Sequence, residues 1–117
     1  PALIKAQRMQ EKAAGVGFDW NTKQQVWSKF EEELAELDEA LLKDNKKAIE
    51  AEFGDVLFSL INYARFLKIN PESALERTNQ KFIRRFQYIE DQAKAQASSI
   101  DKLSLDEMEA LWQEAKS

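Results

Sequence analysis

Apolar side chains recur along this chain at steps of three and four, the spacing that gathers them on one stripe of an α-helix. One stripe passes through Val26, Phe30, Leu34, Leu37 and Leu41, and a second through Ile49, Phe53, Val56/Leu57, Leu60 and Ala64. A third runs through Leu75, Phe82, Phe86 and Ile89. Start and stop signals divide the chain into five helices. The first covers residues 2–14 and ends at Gly15 and Gly17, which flank the start of a short aromatic loop, Val16-Gly17-Phe18-Asp19-Trp20. Thr22-x-x-Gln25 fits a capping box opening the second helix, which runs to about Lys43, where Asp44-Asn45 breaks the pattern. The third continues to about Leu67, and Asn70-Pro71 supplies a cap and an N1 proline for the fourth. That helix fades into the Gln/Ala/Ser-rich stretch 92–99. Ser104-x-x-Glu107 is a second capping box, with Leu103 and Met108 as its staple, so the fifth helix spans 105–115. Long helices with short joints predict an all-α fold, an antiparallel four-helix-type bundle with a short C-terminal helix. With neither repeat nor dividing linker, residues 1–117 read as a single domain.

Composition narrows the chemistry. Three Gly and two Pro are too few for a sandwich or barrel. A net charge of −4 and an isoelectric point near 5.0 argue against a polymeric nucleic-acid partner. No apolar run approaches the roughly 20 residues that cross a bilayer, so no membrane partner is expected and a cytoplasmic location is. The chain has no Cys and no His. Disulfides, thiolate sites, imidazole bases and His-ligated zinc are therefore excluded, and any metal must be held by oxygen.

The densest chemistry lies in Glu31-Glu32-Glu33-Leu34-Ala35-Glu36-Leu37-Asp38-Glu39, six carboxylates in nine helical positions. A solvated acidic face is the ordinary explanation of such a run. Phase argues otherwise, since Glu33 lies one turn from both Phe30 and Leu37, so Glu33 and Glu36 flank the apolar stripe. Carboxylates at the edge of a core need a cation. The next helix repeats the arrangement with Glu52 and Asp55, which bracket Phe53-Gly54. Gly54 weakens a helix interior by about 1 kcal/mol relative to Ala, so a close approach of backbone or ligand is expected there. Two antiparallel helices that each offer an acidic i,i+3 pair can close four carboxylates around a hard cation. Magnesium carrying phosphates and water suits that donor set, with manganese the alternative.

These residues resemble a family. Glu32-Glu33-Leu34-Ala35-Glu36 followed by Glu52-Phe53-Gly54-Asp55 matches the signature of the all-α NTP pyrophosphohydrolases. The resemblance narrows to the MazG type through Ala6–Ala14 wording (Ala6-Gln7-Arg8-Met9-Gln10-Glu11-Lys12-Ala13-Ala14), the Val16–Trp20 loop and Trp27-Ser28-Lys29. It continues in Gly54-Asp55-Val56-Leu57-Phe58, Asn62-Tyr63-Ala64-Arg65, Asn79-Gln80-Lys81-Phe82-Ile83-Arg84-Arg85-Phe86 and Met108-Glu109-Ala110-Leu111-Trp112. Ile83 stands where a charged residue is common, which touches none of the expected ligands. The opening Pro-Ala-Leu resembles the entry to the second, catalytic domain of a two-domain MazG protein.

The resemblance implies that Glu33, Glu36, Glu52 and Asp55 bind Mg²⁺. It also implies that Lys29, Lys81, Arg84 and Arg85 contact the triphosphate and that Trp112 contacts the nucleoside end. Lys81, Arg84 and Arg85 at i, i+3 and i+4 share one helix face, and guanidinium forks suit phosphate oxygens. The rival reading of those cations is a solvated basic patch, and that of Trp112 is plain core. Phe18 and Trp20 are a second base-stacking candidate, with core plugging as the rival. Asn62, two turns past Asp55, fits a ligand contact, a subunit interface or solvent.

Without Cys, His or an evident Ser nucleophile, direct hydrolysis is expected. A metal-activated water would attack the α-phosphorus of a nucleoside triphosphate, leaving nucleoside monophosphate and pyrophosphate. Glu32 and Glu33 are the candidate general bases. The resemblance implies a homodimer whose two chains complete each site. Two rivals stand beside this: a narrow dUTP or dCTP pyrophosphatase, and a non-catalytic helical dimerisation module.

Overall fold

The structure is a computed structural model that describes all 117 residues, Pro1–Ser117. It is all helical: α1 (Ala2–Gly15), α2 (Lys23–Lys43), α3 (Lys46–Phe66), α4 (Pro71–Ala95) and α5 (Leu105–Ala115), with a 3-10 turn at Ile100–Lys102. No helix is long and apolar enough to cross a membrane.

Local signals account for the boundaries. The Thr22 side chain accepts from Gln25 N while the Gln25 side chain accepts from Thr22 N, a reciprocal box that satisfies two orphan donors of α2. Ser104 and Glu107 do the same for α5. Asp44 closes α2 in the left-handed region at φ 52°, and Asn45 then accepts from Ala48 N to cap α3. A two-residue joint leaves no choice but a helical hairpin, so α2 and α3 pack antiparallel along their length. After α1, Gly17 sits at φ 92°, a conformation that costs other residues a Cβ clash. It lets Phe18 N reach back to Ala13 O at 3.0 Å and tie the aromatic loop to the end of α1.

The chain divides into two compact units, Pro1–Glu72 and Ser73–Ser117. In the first, α1 packs on α3 and α3 on α2, as the helices of a bundle do. In the second, α5 meets α4 through Trp112, whose ring lies 5.5 Å from that of Phe82, and through the Tyr88 hydroxyl, which donates to Glu114.

The apolar stripes are covered only in part. Val26 and Ile89 are buried, but Leu34, Leu41, Phe53, Leu57 and Leu60 remain exposed. Ala40, Glu33 and Ser59 are buried instead. Phe30, Leu37, Ile49 and Val56 are half-buried between these extremes.

Candidate active site

Glu33 and Glu36 project from α2 one turn apart, and Glu52 projects from the facing turn of α3. Each offers a carboxylate oxygen within 4.8 Å of the others. Glu33 is only 6% exposed, although it is a carboxylate. One of its oxygens accepts from Lys29 Nζ at 2.9 Å, and that ammonium also lies 3.6 Å from Glu32. The other oxygen of Glu33 and one oxygen of Glu52 are buried with no hydrogen-bond partner. Crowding has an electrostatic signature. The charge of Glu33 above all, then burial and Glu52, hold the Glu36 carboxyl above the usual carboxylate range. The hydrogen bond to Glu33 raises Lys29 above the usual lysine range.

Asp55 lies one turn beyond Glu52 on α3 but is exposed and stands outside the three-carboxylate group. Around Gly54 the expected close approach is absent within this chain, since an added Cβ would meet open space. The side of α3 that Gly54 presents is open, and Phe53 beside it is likewise exposed.

The cationic residues belong to the second unit. Lys81, Arg84, Arg85, Tyr88 and Ala115 line an open pocket of about 330 Å³. None of the three cations forms an ion pair within the chain. Arg85 is half-buried with its guanidinium 5.4 Å from the centre of the Trp112 ring. Trp112 is therefore neither core nor free: Phe82 backs it and Arg85 covers it. Phe82 in turn stacks on Phe86 with ring centres 6.0 Å apart.

Two features escaped the reading of the sequence. Arg65 forms a bidentate pair with Asp19, at 2.6 and 3.0 Å, and donates to Asn62 Oδ1 from two nitrogens. Hydrogen bonds to Arg65 hold the Asp19 carboxyl below its ordinary range. Gln10 is buried on α1, its Nε2 donating to the Phe58 carbonyl across to α3. A polar residue in phase with Ala6 and Ala13 was the signal for Gln10. Asp19 and Arg65 are 46 positions apart, and no local spacing links them.

A family model described as the MazG nucleotide pyrophosphohydrolase domain matches residues 21–89. That segment carries all four acids of the expected metal set and every expected phosphate-binding cation. Over 116 residues, 99% of the chain, it is 44% identical to the nucleoside triphosphate pyrophosphohydrolase/pyrophosphatase MazG of Thermotoga maritima, covering 44% of that protein. It is 38% identical over 120 residues to the nucleoside triphosphate pyrophosphohydrolase of Escherichia coli K12, covering 99% of the chain and 45% of that protein. An uncharacterized Bacillus subtilis protein, YabN, is 56% identical over 68 residues, 58% of the chain and 14% of its own length. The chain thus spans less than half the length of the curated relatives it matches.

Proposed function

Because this chain belongs to the MazG nucleotide pyrophosphohydrolase domain family, we propose that residues 1–117 form one catalytic domain hydrolysing nucleoside triphosphates to monophosphate and pyrophosphate. The observation that carries this reading is the pair of buried, partnerless carboxylate oxygens on Glu33 and Glu52, gathered with Glu36. An unpaired buried carboxylate oxygen is costly, and a hard divalent cation removes that cost for all three acids together. Glu33, Glu36 and Glu52 would hold magnesium, or manganese, with Asp55 completing the set from the next turn. When bound, the ion supplies Lewis-acid polarisation of phosphate oxygens and acidifies the attacking water.

The remaining work falls to side chains of the chain itself. Lys29 neutralises Glu33 in the absence of substrate and offers its ammonium to a phosphate oxygen when substrate arrives. Glu32, exposed and 3.6 Å from Lys29, accepts the proton of the attacking water. Glu33 is the other candidate base, but its paired oxygen already serves Lys29. Lys81, Arg84 and Arg85 would hold the leaving pyrophosphate, and none of them is tied up in an ion pair. Trp112 fixes Arg85 through its ring face and contacts the nucleoside end. Attack is in line at the α-phosphorus, opposite the pyrophosphate.

The same reading makes the protein a cytoplasmic homodimer. Exposed Leu34, Leu41, Phe53, Leu57 and Leu60 support a second copy, because so much large apolar surface on helices is more than a monomer usually presents. The direct test is product analysis with mixed nucleoside triphosphates. Monophosphate and pyrophosphate should appear with magnesium and vanish with chelator. Turnover undiminished by chelator, or none under either condition, would overturn the proposal.

A further inference from the structure

Two side chains of α5, Trp112 and Glu114, make specific contacts to α4. The Trp112 ring lies against Phe82 and the Arg85 guanidinium, and Glu114 accepts from the Tyr88 hydroxyl at 3.2 Å. The second contact stands at the edge of the basic pocket, whose wall Tyr88 and Ala115 share with Lys81, Arg84 and Arg85. Tyr88 follows Arg85 by three residues, so the two lie one turn apart on the same face of α4. Trp112 and Glu114 are two residues apart on α5, which sets them about 200° around its axis, on opposite flanks. One contact alone would leave a short helix free to roll about its axis and carry the indole off Arg85. A second contact on the other flank stops that roll. Glu114 directly precedes Ala115 of the pocket wall, yet it pairs with none of the three cations. Tyr88 is half-buried, its ring seated and its polar tip supplied with a partner. Burial first, and then the Glu114 charge, hold the phenol above its ordinary range, so it stays a protonated donor at neutral pH.

We propose that Tyr88 is a positioning residue for substrate binding: through its hydrogen bond to Glu114 it fixes the roll of α5 and so holds the Trp112 ring on Arg85. The inference rests on the proposed roles of Arg85 and Trp112 in binding a nucleoside triphosphate, and it names the group that sets their geometry. A guanidinium with no ion pair takes its direction from what it packs against, which for Arg85 is the indole. Ordering a long, rotamer-rich side chain is part of the cost of binding, and a ring already in place removes some of that cost. Tyr88 touches neither phosphate nor nucleoside in this account. Its contribution reaches the substrate through the ring. Because that ordering serves bound substrate and transition state alike, its loss appears in KM rather than in kcat.

Tyr88→Phe deletes the donor and keeps the ring, so the fold should stay intact, as a thermal melt checks. In ¹H–¹⁵N NMR of the full chain without ligand, this variant should shift the Trp112 indole N–H and the Arg85 Nε–H. Glu114→Leu should shift the same two signals in the same direction. Glu114→Gln, which keeps an acceptor oxygen, should leave them near their wild-type positions. Kinetics supply the second arm. Tyr88→Phe should raise KM for nucleoside triphosphates about three- to tenfold at unchanged kcat, the scale of one lost hydrogen bond. In a Trp112→Ala background the same substitution should add nothing, since the ring it positions is gone. Unmoved indole and guanidinium signals would overturn the proposal, as would a lowered melting temperature with KM unchanged. An equal rise in KM with and without Trp112 would overturn it too, because Tyr88 would then bind substrate directly. Should the wild type hydrolyse no nucleoside triphosphate, the proposed function fails, and the two NMR signals still decide whether Tyr88 holds the ring.

Discussion

The acidic turn shared by α2 and α3 and the basic face of α4 solve opposite problems. In the first, three carboxylates are drawn together, two of them with buried oxygens that nothing satisfies, and a single lysine offsets part of the charge. In the second, exposed Lys81 and Arg84 and half-buried Arg85 form no ion pair, and Arg85 lies against the Trp112 ring instead of an acid. The difference shows how each cluster is held. Packing of the hairpin organises the acids before any ligand arrives, with repulsion stored in the fold. The basic face is instead a surface whose counter-charge must come from outside. A third place in the molecule shows what happens when acid and base do meet: Asp19 and Arg65 form a bidentate pair and need no ligand.

Breaking the acidic side should have the largest effect. Glu52→Gln and Asp55→Asn are expected to lower kcat by about a thousandfold, the scale of losing several kcal/mol of charge stabilisation. Helicity should persist, and Tm without metal should stay close to wild type or rise, because like charges no longer face one another. Adding magnesium should raise Tm for wild type and not for Glu52→Gln. Loss of helicity in either variant would mean that these acids are structural.

The basic side should respond more mildly. Trp112→Ala removes both a stacking surface and the support of Arg85, and should raise KM roughly five- to 150-fold. The loss should be similar for every base, because stacking tolerates any base. A fully enclosed Trp would instead cost about 3–5 kcal/mol of stability on truncation. A depressed melting temperature with unchanged KM in the folded protein would return Trp112 to a purely structural role.

How much of this was legible in the sequence varied with the kind of signal. Thr22/Gln25 and Ser104/Glu107 were readable because a capping box is complete within four residues, and both form as expected. The acidic cluster was readable through phase, which places Glu33 and Glu36 beside the seam and brings Glu52 to face them. Phase could not say that Asp55 would stay outside the group, since that depends on the local path of α3. The apolar stripes gave the correct helices but not the burial, because helix period fixes which residues share a face and not what packs against it. Gln10 was hidden for a related reason: its orphan oxygen exists only once α1 rests on α3. The Asp19–Arg65 pair joins a loop to a helix 46 residues away and has no sequence period at all.

The smallest effect sharpens the third member of the comparison. Arg65 lowers the folded-state pKa of Asp19, so the pair contributes stability above the ordinary aspartate range and loses it as pH falls through the lowered value. Asp19→Asn should therefore reduce Tm modestly at neutral pH. The two proteins should converge as acid protonates Asp19 in the wild type. A difference in Tm that persists unchanged at low pH would show that the pair is not what stabilises the loop.

The central proposal, hydrolysis of nucleoside triphosphates between the α- and β-phosphates, is tested most directly by the position of solvent oxygen in the products. Turnover in ¹⁸O-water should place one label in the nucleoside monophosphate and none in the pyrophosphate. Label in the pyrophosphate, or release of labelled orthophosphate with nucleoside diphosphate, would contradict the account.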